Sequence, residues 1–233
     1  TIACAAFAAG SLMLLGPTIL KTRFGVDEVV TTLLLNFVVI LFVSLLLEGP
    51  LKDPMALGWP QSAQMIPEAR LPRIAPDVRL HWGFGLALIC AGIVWVVLNK
   101  TTFGFEMRAV GLNREASNFA GMNVSATLAK TAVLSGGLAA LAGFSEVSGL
   151  KGNLTLDLSP GFGYTGIIVA MLALLNPIGV VVAALFVAGV FVGADSMSRA
   201  ADVPSYIADI LLAVALLSMV TALMFTRFRV ARR

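Results

Sequence analysis

Charged side chains are scarce in this sequence: Lys, Arg, Asp and Glu together make up 12% of its 233 residues. A soluble globular domain carries roughly 25% charged residues, which it needs to cover a surface that faces water. Hydrophobic residues make up 58% of the chain, and its mean hydropathy is +0.93. The composition therefore excludes an ordinary soluble domain and predicts that lipid surrounds most of the chain.

Histidine and cysteine are almost absent, which excludes several kinds of site. His81 is the one histidine, and the two cysteines, Cys4 and Cys90, lie inside apolar runs. A zinc protease needs closely spaced histidines, and a membrane-embedded serine protease needs a histidine or lysine partner for its nucleophile. Cysteines in such runs behave as small hydrophobic residues. We therefore predict no enzyme, no catalytic residue and no metal ligand.

The sequence also lacks the phosphate-binding loop G-x-x-x-x-G-K-[ST] that an ATP-hydrolysing chain would carry. Residues 161–163, Gly-Phe-Gly, are too short a match to a dinucleotide fingerprint. Sixteen basic against thirteen acidic residues is a mild excess, and no basic patch is interleaved with aromatic residues. Nucleic acid is therefore not expected as a partner, and no cofactor is expected in this chain.

Seven apolar segments account for most of the chain. They span residues 1–19, 29–47, 83–98, 127–149, 162–175, 177–194 and 205–226. Roughly 20 helical residues cross the hydrocarbon core of a bilayer. We therefore predict an all-α fold, a polytopic transmembrane helix bundle of about seven segments. The fifth segment ends early at Asn176-Pro177, so it is either a half-helix that lines a cavity or a full helix kinked at Pro177.

Lysine and arginine predict the orientation in the membrane, because cytoplasmic loops carry an excess of both. The last seven residues contain four arginines, which places the C-terminus in the cytoplasm. Counting back through seven crossings places residues 100–126 inside and residues 48–80 outside.

Small residues also recur four apart, which favours close helix packing. Examples are Ala6/Gly10, Ser135/Ala139/Gly143 and Gly189/Gly193.

Two polar connections differ from the rest of the chain. The external loop, residues 48–80, contains six prolines, which exclude a long helix. Its apolar residues indicate a structured cap over the outer mouth, either with or without a docked partner. The inner segment, residues 100–126, predicts one or two short amphipathic helices broken near Gly111–Asn113. Such a helix lies either on the membrane surface or in a groove on a partner protein.

Polar residues inside the predicted membrane helices are few. Glu146 and Asp209 fall near predicted outer ends, where water solvates them. Neither lies at mid-membrane, so an ion-coupled secondary transporter lacks its usual coupling site. Asn36 lies in the inner half of the second segment, where its amide either faces a polar path or bonds a neighbouring helix.

The chain begins at Thr1 inside an apolar segment, so we expect an N-terminally truncated chain with one or more helices before it.

Several motifs together point to one family. They are RFGVDEVVTTLLLN at 23–36, TFGFEMRAVGLN at 102–113, PGFGYTGI at 160–167 and NPIG at 176–179. They resemble the ABC importer permease family that includes permeases for branched-chain amino acids, ribose-type sugars and nucleosides. The outer string GPLKDP at 49–54 is most similar to the nucleoside and simple-sugar branch.

The resemblance implies a single permease domain over residues 1–233, multi-pass in a bacterial inner membrane. It implies as partners a cytoplasmic ABC ATPase that binds the ATP, a second permease subunit in a homo- or heterodimer, and an external substrate-binding lipoprotein. Nucleosides or purines are expected as solutes ahead of simple sugars and branched-chain amino acids. An ATP-independent secondary transporter or channel is the alternative.

The resemblance also identifies residues 100–126 as the cytoplasmic coupling loop, which docks on the ATPase. The residues expected at that contact are Glu106, Arg108, Ala109, Gly111, Asn113, Ala116 and Gly121. We take four polar or aromatic residues as candidates for the lining of the translocation path, although aromatic residues also serve in core packing. They are Asn36, Phe37, Phe162 and Tyr164. The candidate hinge positions are Gly161, Gly163, Gly166, Asn176 and Pro177.

Overall fold

The computed structural model describes residues 1–56, 58–74, 80–159, 161–201 and 206–227. Within these residues the regular structure is helical, and the extended pairing is confined to isolated bridges. The α-helices are α1 (Ile2–Phe24), α2 (Glu28–Glu48), α3 (Trp82–Lys100), α4 (Thr102–Leu112), α5 (Arg114–Phe119), α6 (Val124–Glu146), α7 (Phe162–Leu172), α8 (Pro177–Ala201) and α9 (Ile207–Arg227). Short 3₁₀ turns cover Pro67–Ala69 and Leu156–Leu158, and a π-turn covers Val147–Lys151.

The seven predicted apolar segments correspond to α1, α2, α3, α6, α7, α8 and α9, so the all-α polytopic fold is confirmed. Among the described residues, five helices are long and apolar enough to cross a membrane: α1, α2, α3, α6 with its π-turn, and α8. The apolar part of α9, Ile207–Ala222, is shorter. The 11 residues of α7 span about 17 Å, little more than half of a hydrocarbon core of about 30 Å. The fifth segment is therefore a half-helix.

The chain divides into two compact units, Thr1–Pro160 and Gly161–Arg233. In the first unit α1 and α6 form the most extensive contact and run antiparallel. Phe7 packs on Gly137, and the Ser11 hydroxyl donates a hydrogen bond of 2.8 Å to the Val133 carbonyl. In the second unit α7, α8 and α9 pack against one another.

Glycine sets the distance between α1 and α6. A Cβ built on Gly10 would overlap the Gly136 carbonyl oxygen, and one built on Gly136 would overlap that of Gly10. The four-residue spacing therefore predicted Gly10 correctly. Its partner, Gly136, lies one residue away from the predicted row Ser135/Ala139/Gly143, and all three residues of that row are exposed. One residue turns a helix by about 100°, so this shift moves the contact to a different face.

The outer segment, residues 49–56 and 58–74, is fixed to the π-turn that continues α6 and to the residues directly after it. Three backbone hydrogen bonds connect them: Ser62 N to Leu154 O at 3.0 Å, Met65 N to Gly152 O at 2.8 Å, and Leu71 N to Ser148 O at 2.9 Å. Helices α4 and α5 contact α6 as well and directly precede its N-terminus. The outer segment and the α4–α5 pair therefore lie at opposite ends of one helix, as the predicted orientation requires.

Candidate coupling and translocation sites

Three polar side chains define the ends of the helices in the inner segment. The Thr101 hydroxyl accepts a hydrogen bond from Gly104 N at 3.1 Å, which caps α4. The Asn113 amide oxygen accepts from Ala116 N at 3.0 Å, so Asn113 ends α4 and caps α5. Asn123 caps α6 in the same way. Such side chains are preferred caps because they satisfy amide groups that have no partner within the helix. The predicted break near Gly111–Asn113 is confirmed at Asn113.

Helix α4 is held firmly against its neighbours. A Cβ on Gly104 would overlap the backbone of Val97 and Leu98, so α4 folds back closely on the end of α3. On the other side, the Glu106 carboxylate lies 3.3 Å from the hydroxyl of Thr127, which is 2% exposed, in α6. The Lys130 ammonium lies 5.9 Å from the centre of the Phe103 ring, within the range of a cation–π contact. Any force on α4 therefore reaches α6 directly.

Six of the seven residues expected at the ATPase contact lie on the accessible part of this segment. Arg108, Gly111, Asn113, Ala116 and Gly121 are exposed, and Ala109 is half-buried. Glu106 is placed differently, because its carboxylate faces Thr127 within the same chain. Its position fits a residue that joins α4 to α6.

Two residues that the sequence analysis did not single out are the most exposed apolar side chains of the segment. Phe119, the last residue of α5, is 98% exposed, and Leu112, the last residue of α4, is 88% exposed. Both side chains are therefore available to a partner protein. A shallow cavity of about 640 Å³ lies in the same segment, and its lining includes neither of the two; it is lined by Arg114, Glu115, Asn118, Gly121, Met122, Asn123, Val124 and Ser125. The available signal was the presence of both residues in an otherwise polar stretch.

The four candidates for the path lining are distributed over both units. Asn36 and Phe37 lie on α2, and Phe162 and Tyr164 lie at the start of α7. All four are exposed, with Phe37 and Tyr164 each at 64%. They are thus available to a solute or a neighbouring subunit rather than packed in the core of their own unit. Their joint role in one path stays a prediction.

The hinge candidates flank α7. Gly161 precedes the helix with a φ of 84°, a left-handed value that favours glycine. The Asn176 amide oxygen accepts a hydrogen bond from Ile178 N at 3.0 Å and so caps α8, of which Pro177 is the first residue. Gly163 and Gly166 are helical residues of α7. The hinge function of these five positions stays a prediction.

The connection between α7 and α8 contains backbone strain that the sequence did not reveal. Leu174 has a φ of 52° and Leu175 a φ of 59°, both in the left-handed region. A residue with a Cβ loses about 1–2 kcal/mol there. Both side chains are exposed, at 66% and 72%, so packing within the unit offsets little of this cost. Strain of this kind concentrates at segments that change conformation.

We expect Leu174→Gly to raise the free energy of unfolding by up to about 1 kcal/mol, because relief of strain exceeds the added chain entropy. Ile167→Gly, at an exposed position in the interior of α7, is the matched control and should lower it by about 1 kcal/mol. Thermal melting of both purified variants checks the pair. A loss of stability in both would show that Leu174 is not strained.

Apolar helices of membrane length, a half-helix and an exposed helical pair fixed to the end of α6 define a multi-pass membrane protein. The sequence of residues 1–228 matches a protein family described as the permease component of the branched-chain amino acid transport system. The chain belongs to this family of transporter permeases.

Relatives within the family support the same assignment. The chain is 37% identical over 219 residues to the guanosine ABC transporter permease protein NupP of Bacillus subtilis. The aligned region covers 91% of this chain and 62% of NupP. It is 35% identical over 236 residues to the glucose ABC transporter permease protein TsgB13 of Haloferax volcanii, covering 97% and 62%. It is 30% identical over 198 residues to the nucleoside ABC transporter permease protein NupB of Lactococcus lactis, covering 82% and 54%.

The chain therefore spans between about half and two thirds of the length of these relatives. No solved structure matches it significantly.

Proposed function

We propose that this chain is the membrane-spanning permease subunit of an ATP-binding cassette importer that carries a nucleoside or a simple sugar into a bacterial cell. Two observations support this function together: membership of the permease family, and an exposed helical pair fixed to the end of a membrane helix. The names of the relatives favour nucleosides and sugars over branched-chain amino acids. The family also favours an ATP-driven importer over an ATP-independent transporter or channel.

The α4–α5 segment is the proposed contact with a separate ATPase subunit, which binds and hydrolyses ATP. Phe119 and Leu112 supply apolar anchors, and Arg114 and Glu115 supply charges beside them. A buried aromatic anchor with a polar rim is the usual arrangement of a strong protein interface. Because Glu106 and Phe103 connect α4 to α6, ATP-driven movement of the ATPase would displace a membrane helix.

The outer segment is the proposed contact with an external substrate-binding lipoprotein. Its backbone is fixed to the end of α6, and it presents Met55 at 87% and Trp59 at 74% exposure. A second permease subunit, identical or related, completes the path, and the assembly lies in the bacterial inner membrane. The orientation derived from the basic residues places the ATPase and the lipoprotein on opposite faces.

Gly111 offers a sharp test of ATPase docking. Apart from the chain neighbours and the backbone of the same helix, no described atom lies within 4 Å of a Cβ built there, so a side chain would begin in open space. We expect Gly111→Trp to reduce ATP-driven uptake at least about tenfold while the variant inserts at the normal level, because the side chain would obstruct the docked partner. Uptake and copurification of the ATPase are measured in membranes.

Gly92→Trp in α3 is the matched control, because its surroundings in the described chain are equally open but lie away from the α4–α5 segment. It should retain the ATPase. Normal uptake and normal ATPase retention in Gly111→Trp would exclude this segment as the docking site.

A further inference from the structure

A cavity of about 260 Å³ lies between α1, α2 and α6, near the end of α6 that carries α4 and α5. Much of its wall is apolar, yet all three helices also contribute polar side chains. These are Thr18, Lys21, Glu28, Thr32, Thr131 and Ser135. An apolar cavity with a few convergent polar groups is the usual form of a small-molecule site.

The polar groups of this cavity mainly accept hydrogen bonds. Thr18, Thr32 and Thr131 each donate the hydroxyl proton to a carbonyl of their own helix, at 2.8 Å. A hydroxyl oxygen that donates in this way keeps lone pairs with which it can accept. The carboxylate of Glu28 adds further acceptors and forms an ion pair with Lys21, so the two charges cancel. A neutral molecule with several O–H or N–H donors fits this lining. An anion does not fit, because its oxygen atoms accept hydrogen bonds, as the groups of the lining do.

The cavity is also connected to the coupling segment. Thr127 of α6 is within hydrogen-bonding distance of Glu106 of α4. Two residues that line the cavity lie close to Thr127 along α6: Leu128 follows it directly, and Thr131 lies one helical turn further. The opposite wall is loosely packed, because among the residues of α2, all of which are described, only Leu47 is buried. Displacement of α4 would thus move the α6 wall of the cavity against the α2 wall, which an ion pair connects to α1.

We propose that this cavity holds the transported solute on the ATPase side of the membrane. It recognises a neutral, polyhydroxylated molecule by accepting hydrogen bonds from the O–H and N–H groups of that molecule. The proposal rests on the proposed function and adds to it the residues of the site, whose acceptors fit the class of solute named there. It replaces no earlier assignment, since the four candidate path residues lie outside this lining.

The test removes two acceptors without changing side-chain size. Thr18→Val with Thr131→Val is assembled with the ATPase and the binding lipoprotein, and uptake is compared for guanosine, its 2′,3′-dideoxy analogue, glucose and 2-deoxyglucose. Since the lipoprotein is unchanged, a change in the ratio between a solute and its deoxy analogue belongs to the permease. We expect uptake of the hydroxylated solute to fall about tenfold and that of its analogue to change less than twofold, because each lost hydrogen bond contributes about threefold or more. The pair that responds, nucleoside or sugar, identifies the solute.

Two control variants separate recognition from damage to the helices. Thr18→Ser with Thr131→Ser keeps both hydroxyls and should retain the wild-type ratios. Thr221→Val removes a hydroxyl that donates to Leu217 O at 2.9 Å in α9, outside the residues that line the cavity, and should also retain them. Each single valine variant should shift the ratio by a smaller amount and serves if the double variant does not assemble.

Unchanged ratios in the valine variants, or an equal loss for a solute and its deoxy analogue, would overturn the cavity as the solute site. That result is distinct from failure of the proposed function, in which the wild-type assembly itself would show no ATP-dependent uptake of any of the four solutes.

Discussion

Replacing Phe119 with alanine is expected to lower ATP-driven uptake by more than about tenfold and to release the ATPase during purification. Phe119 is 98% exposed and lies at the end of α5, so its ring contributes almost nothing to the stability of its own chain. An aromatic anchor at the centre of an interface commonly contributes 2 kcal/mol or more, which corresponds to about a thirtyfold change in affinity. The measurement compares uptake and ATPase copurification at equal permease levels.

Phe24→Ala is the matched control for this prediction. Phe24 is 73% exposed and ends α1 at the same end of the α1–α6 pair, but it lies outside the α4–α5 segment. It should keep the ATPase and transport at the wild-type rate. If Phe119→Ala retains its ATPase as well as Phe24→Ala does, the exposed ring is not an anchor, and the docking surface has to be sought elsewhere.

Gly10→Val is expected to destabilise the first unit more than any other conservative change in α1. The added Cβ alone would overlap the Gly136 carbonyl oxygen, which belongs to the backbone of α6 and is therefore unable to move aside cheaply. Overpacking of this kind costs about 1–3 kcal/mol, which lowers the melting temperature of a chain of this size by about 5 °C. Fluorescence-detected melting of the purified protein measures the difference.

Ala9→Val provides the comparison in the same helix. Ala9 is exposed, so a valine there introduces a β-branched residue without the overlap that Gly10→Val creates. We expect its melting temperature to lie within about 2 °C of the wild type, because a surface substitution changes stability by about 0.5 kcal/mol. Equal melting of both variants would mean that α1 and α6 are not in close contact in the membrane.

The placement of Glu106 marks a limit of motif reasoning. The resemblance assigned it to the ATPase contact together with Arg108, two residues further along α4. Two residues correspond to about 200° around a helix, so adjacent members of one motif face opposite directions. The structure directs Glu106 towards Thr127 and leaves Arg108 exposed. The motif therefore contains residues for both the internal connection and the outer surface.

The sequence by itself determined the class of this protein, the number of its apolar segments and the helix break at Asn113, and it left open whether α7 is a half-helix or a kinked full helix. These features follow from hydropathy, segment length and capping residues, which are local properties of the chain. Only the tertiary structure decided that Gly10 meets Gly136, that Phe119 and Leu112 protrude, that Leu174 and Leu175 are strained, and that three helices enclose an acceptor-lined cavity. Each of these depends on which face of one helix meets another. Turning a helix by one residue, about 100°, changes the face that it presents, and the local sequence pattern does not determine that turn.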